Sequence, residues 1–215
     1  MAVAALSLVT ASVGPAAARG TRQRAGAFGR FDYYVLSLSW SPQHCAQTRP
    51  AANDPQCAVP RRFGFVAHGL WPQYERGYPS SCAAGAGPDA ALVDGMLDIM
   101  PSPTLVRHEW VKHGSCSGLD PAGYFATLRR AFRAVQIPER YRQPSGAFRV
   151  SPAEVRADFR RSNRDFDDAE LAVLCSGPYL QEVRICFDRD LRSRACGRDV
   201  RDRCRADAVT VRPVR

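Results

Sequence analysis

Lysine is nearly absent from this chain: of its 30 basic residues, all but Lys112 are arginine. A chain that otherwise uses only guanidinium groups, yet keeps one compact ammonium, marks position 112 as a place for a point charge. Histidine is scarce too, with four residues, so any grouping of them is informative. No two cysteines form a CxxC pair, which argues against a zinc ribbon or a thioredoxin-like redox site. Beyond the N-terminus no apolar run is long enough to cross a bilayer, and no repeat or linker divides the chain. A sequence of 215 residues, 45% hydrophobic, is therefore expected to build one core.

What is present fits export. The eight cysteines (Cys45, Cys57, Cys82, Cys116, Cys175, Cys186, Cys196 and Cys204) suit an oxidising compartment, with four disulfides as the default. Eight thiols allow about a hundred complete pairings, and spacing alone does not choose among them. The opening AVAALSLVTASVG is apolar and is followed by Ala16, Ala17 and Ala18, which reads as a secretory signal over 1–18 rather than a membrane span. The usual basic start of such a signal is missing, which leaves the true start codon open. Residues 19–30 read as a basic, turn-rich leader and 31–215 as the folded domain, secreted or periplasmic and expected to be a monomer. The formal charge of +9 suits a polyanionic partner such as nucleic acid, although charge alone does not select one.

FDYYVLSLSW reads as a buried strand ended by SPQHC, and RRFGFVAHGLWPQ as a second, with polar residues at its C-terminal end. Residues 46–60 and 74–88 read as loops from their proline, glycine and Asn-Asp content. A helix is expected around ALVDGMLDIM, and another after Pro103 carrying HEWVKH. A third starts at Asp120 with Pro121 in its first turn, burying Tyr124, Phe125, Leu128 and Phe132. Ser151, Pro152 and Glu154 open a fourth with a capping box. YLQEVRICFD and AVTVRPV close the chain as strands. Strands at both ends with helices between them predict an α+β fold, a central antiparallel sheet packed with several helices.

Three of the four histidines lie in two short segments, FVAHGLWPQ with His68 and RHEWVKHGSC with His108, Glu109, Lys112 and His113. Imidazole is the usual proton-transfer group near neutral pH. On a helix, residues 108, 109, 112 and 113 spread over about 140° of one side, with Trp110 and Val111 turned to the core. Such a stripe could hold a phosphate and offset its developing charge; a surface helix with ordinary salt bridges is the plainer alternative. The zinc-protease motif HExxH needs ligands four residues apart. Here they are five apart, diverging by about 140° with a lysine between them, so that reading fails.

HGLWP at 68–72 and HEWVKHGSC at 108–116, in this order, resemble the two signature segments of the ribonuclease T2 family. Supporting similarity runs through the opening strand with its tryptophan-proline turn, MPSP before the second segment, and EVRICFD. The resemblance implies a metal-independent endoribonuclease without cofactor, acting on RNA. By it, His68 matches the general acid and His113 the general base, Glu109 and Lys112 stabilise the pentacoordinate phosphorus, and His108 binds phosphate. Trp71 is either a base-stacking surface or a core residue, and Gln73, Tyr74 and Tyr78 are further base-binding candidates. Gln73 stands where some relatives carry an aspartate, which leaves base preference open. Ser115 replaces a common threonine but keeps the hydroxyl. The family pattern also implies the pairs Cys82–Cys116, Cys45–Cys57, Cys175–Cys204 and Cys186–Cys196. His44 lies outside both motifs, as a structural or exposed residue. A basic RNA-binding module of the same fold without catalysis is the alternative, and whether RNA is shortened or only retained separates the two.

Overall fold

Alternation along the first strand sets the two faces of the sheet. The computed structural model describes residues 28–48, 54–58, 62–82 and 85–214, so the expected signal and most of the leader lie outside the described residues. In β1 (Tyr33–Trp40), Tyr34, Leu36, Leu38 and Trp40 enter the main core. Tyr33 and Val35 form a small cluster on the other face with Cys186, Trp71, Cys196 and Val200. By the period of two, Ser37 and Ser39 share that second face.

β1 lies between β2 (Phe65–Gln73) and β5 (Tyr179–Phe187), antiparallel to both. The sheet continues to β6 (Val209–Val211) and β3 (Phe148–Val150), and β4 (Leu171–Ser176) pairs antiparallel with β5 off that path. One pairing departs from the expected antiparallel sheet: β6 runs parallel to β5, meeting it at Tyr179 and Thr210. The chain leaves the far end of β5, returns as a loop and re-enters beside that strand's first residue, so it must run in the same direction. The sheet is therefore mixed within an α+β fold.

The helices cover the main-core face. In α4 (Pro121–Ala134), Asp120 caps the N-terminus by accepting from the Gly123 N–H, and Tyr124, Phe125 and Leu128 are buried. α5 (Pro152–Ser162) opens with the expected capping box of Ser151 and Glu154. α3 (Pro103–Lys112) is capped by Ser102. α2 (Ala90–Asp94) is shorter than expected, ending at Gly95, with turns in place of further helix up to Met100. SPQHC does more than end β1: with Pro42 in its first turn it forms α1 (Ser41–Gln47). The strands β3 and β4 were not expected: β3 spans only three residues, and β4 carries no alternation of polar and apolar residues. The four disulfides pair Cys45 with Cys57, Cys82 with Cys116, Cys175 with Cys204, and Cys186 with Cys196. Among the described residues no helix is long and apolar enough to cross a membrane.

Candidate active site

A bulge in β2 turns His68 toward the site. Phe65, Ala67 and Leu70 all enter the main core, so the alternation runs two residues and then three. The pairing shows the extra residue: Leu38 faces Ala67 and Ser37 faces Gly69, leaving His68 without a partner on β1. Bulges of this kind re-aim side chains beside functional sites. His68 thereby joins the face of Gly69 and Trp71. Ser37 and Ser39 on β1 stand opposite Arg184 and Glu182 of β5. Their small side chains leave room for His68 to reach across β1, and its Nδ1 lies 2.5 Å from Glu182 Oε1.

Glu182 is buried and also accepts from Arg184, at 3.2 Å from Nε and 2.9 Å from Nη2. Burial alone would raise this carboxyl. The His68 hydrogen bond and the charges of His68 and Arg184 outweigh it, bringing Glu182 down to about 2. Burial likewise pulls His68 downward, but the hydrogen bond and charge of Glu182, with the charge of Glu109, outweigh it and hold the imidazole above its ordinary value. His68 is therefore biased toward its protonated form.

The second histidine is treated in the opposite way. His113 caps the C-terminus of α3, its backbone N–H bonded to Glu109 O. Its side chain is buried, and Nδ1 has no hydrogen-bond partner among the described residues. Burial first, then the positive charges of Lys112, His68, His108 and Arg184, lower it to about 3. The Cys82–Cys116 bridge ties the segment just after His113 to the loop that follows β2. Ser115 braces the same junction, its Oγ accepting from the Cys82 N–H at 3.1 Å and donating to Val111 O at 2.9 Å. The hydroxyl kept at this position thus has structural work.

Trp71 joins the two halves. Its ring meets His68 edge-on at 5.2 Å and stacks on His113 at 5.1 Å, and the Arg184 guanidinium lies 4.8 Å from its centroid. Its Nε1 donates to Glu109 Oε2 at 2.7 Å, while Glu109 Oε1 lies 3.8 Å from His68 Nε2. Gly69 is needed for this bond, because a Cβ there would collide with Glu109 Oε2 and Trp71 Nε1. Burial raises Glu109 more than His68, Trp71 and Lys112 lower it, leaving the carboxyl above its ordinary value.

The helical stripe differs from its expected form. α3 buries Val106, Glu109 and Trp110, at spacings of three and four residues. Glu109 therefore points inward beside Trp110, and Val111, expected in the core, is 60% exposed. His108 is exposed and Lys112 half-buried. Of the base-binding candidates, Tyr78 lies 5.9 Å from the His113 ring. Gln73 is buried, its amide donating to Pro72 O, and Tyr74 packs against the main core. His44 is structural, bonded to Asp54 at 2.6 Å.

Glu182 and Arg184 were not singled out in the sequence. The available signal was a pair of opposite charges two residues apart inside the apolar strand YLQEVRICF, which places both on one face.

The family model described as Ribonuclease T2 family matches residues 31–196. A ribonuclease of Aeromonas hydrophila is 56% identical over 97 residues, covering 45% of this chain and 43% of that protein. A probable ribonuclease of Haemophilus influenzae is 32% identical over 181 residues, covering 77% of this chain and 61% of its own length. Both matched stretches fall short of two thirds of the relatives' length. Among solved structures, the RNase-related protein from Calystegia sepium superposes with a TM-score of 0.69 at 24% identity, covering 86% of this chain and 98% of that one. That last likeness is one of fold.

Proposed function

The chain belongs to the ribonuclease T2 family, and from that premise we propose that it is an exported endoribonuclease that cuts RNA by attack of the ribose 2′ hydroxyl. The observation that carries the reading is the pair of unlike histidines packed against one indole, His68 bonded to a carboxylate and His113 with no partner at Nδ1 among the described residues. Two titrating groups pushed apart by their surroundings are the mark of an acid and a base sharing one site.

In this mechanism His113, neutral, takes the proton of the 2′ hydroxyl. The freed oxygen attacks phosphorus, the bond to the 5′ oxygen breaks, and His68, protonated, supplies the proton that the leaving oxygen needs. The products are a 2′,3′-cyclic phosphate and a 5′ hydroxyl, and the same groups can later direct water onto the cyclic ester. Lys112 offsets charge gathering on the phosphate, with His108 as a further contact at the exposed edge. Glu109, bonded to Trp71 and beside His68, lines the phosphate position with them. The phosphate's own charge opposes the cations that depress His113, moving it back toward a useful basicity. Every step is a proton transfer or a charge contact made by these side chains. Glu182 is a positioning residue, setting the orientation and charge of His68.

A short RNA with a single cleavable ribose tests the reaction. The expected products are those two ends, and exchanging that ribose for deoxyribose should abolish cutting while binding persists, since the phosphates are unchanged. Cleavage at the deoxy position, or release of a 5′ phosphate, refutes the mechanism.

A further inference from the structure

Beyond the site, four arginines, Arg76, Arg198, Arg201 and Arg203, line one open depression of about 390 Å³ together with Asp199. All four are exposed. Arg129 and Arg156 each hold a carboxylate, but among the described residues none of these four has one within ion-pair distance. Asp199 is occupied in another way, accepting from the Gly77 N–H at 2.5 Å. Four clustered guanidiniums against one carboxylate leave the depression net positive, a ready site for an anion. Their planar forks match phosphate oxygens.

Shared loops link the depression to the face that carries the two histidines. Arg76 stands two residues before Tyr78, whose ring meets His113. The bond from Gly77 to Asp199 ties that loop to the segment bearing Arg198 and Arg201. Val200, between those two arginines, packs in the same small cluster as Trp71. The Cys186–Cys196 bridge and the bond from Gly197 N–H to Tyr33 Oη anchor the segment over the sheet.

We infer that this depression is a second phosphate subsite, one that holds the backbone of a single-stranded RNA away from the bond being cut and favours polymeric over dinucleotide substrate. The inference rests on the ribonuclease reading above. A strand leaving the cleavage point past Tyr78 passes over Arg76 and onto the arginines beside Val200. The contact is to phosphate and reads no base.

The test replaces all four arginines with alanine and uses two substrates. A dinucleoside monophosphate spans only the cleaved linkage. A mixed-sequence single-stranded 20-mer, blocked at the ribose 2′ positions, measures binding. The expected variant keeps wild-type kcat/KM on the dinucleotide but binds the 20-mer about tenfold more weakly near 0.1 M salt. Its slope of log affinity against log salt should fall by about 1.4, from two lost phosphates at about 0.7 each. Substituting lysine at the same positions should preserve most of the slope, because the slope counts neutralised phosphates. An unchanged slope and affinity in the folded alanine variant overturns the subsite. A wild-type protein that binds the 20-mer with the full slope yet cuts no dinucleotide overturns the catalytic reading instead, and the alanine variant's slope still decides the subsite.

Discussion

His68 and His113 stand on supports built by different rules. On the strand side, β2, β1 and β5 place a buried carboxylate and a guanidinium under His68, so a charged partner is fixed by sheet register. On the helix side, α3 ends at His113 and gives its ring an aromatic neighbour, nearby cations and, among the described residues, no carboxylate bond. In the proposed mechanism the same imidazole thereby serves as an acid on one support and a base on the other. That specialisation would depend on what each support supplies or withholds more than on the histidines themselves.

Removing either ring has the largest expected effect. His68→Phe and His113→Phe should each reduce turnover by at least about 10²- to 10⁴-fold, the usual worth of a positioned proton-transfer group. RNA affinity should stay close to wild type, because it is carried by charges elsewhere. Wild-type turnover in either folded variant removes that residue from the mechanism.

Gly69→Ala attacks the link between the two halves. Its Cβ must displace Glu109 and Trp71 together, and a misplacement of that size can cost about a hundredfold in kcat. An unperturbed kcat would show that the Trp71–Glu109 bond does not position the site.

Glu182→Gln makes the strand side resemble the helix side. His68 loses the partner that raises it, so its pKa falls. As the acid, His68 must be protonated to act, and activity declines as pH rises through its pKa. The alkaline limb of the pH–rate profile should therefore move to lower pH, and turnover should drop about ten- to a hundredfold, as when other orienting partners are lost. The acid limb, set by His113, should move much less. A purely structural Glu182 would lower activity at every pH without displacing the alkaline limb.

The two supports were unequally legible in the sequence. His113, Lys112 and Glu109 lie in one short segment, and a helix can be read locally from spacing and caps, as the capping box of Ser151 and Glu154 shows. Even there the burial of Glu109 escaped, because the stripe was drawn by chemical type. The period through Val106 and Trp110 marks the inward face instead, and it leaves Val111 outside. The strand side depends on long-range pairing: Glu182 reaches His68 across 114 residues of sequence, and the bulge at His68 arises only when β1 and β2 pair. The parallel entry of β6 was hidden for the same reason, since strand direction follows from how a loop returns. β4, LAVLCS, lacks alternation because four of its six residues are buried, so period-two reasoning passes over it.

If the fold biases the two imidazoles toward opposite charge states, their titration midpoints must lie well apart. Titration of the His68 and His113 ring signals by NMR in the free protein, assigned with the two phenylalanine variants, measures this directly. His68 should titrate above the ordinary value of 6.5 and His113 well below it, toward about 3. Equal midpoints, or His113 titrating above His68, would contradict it.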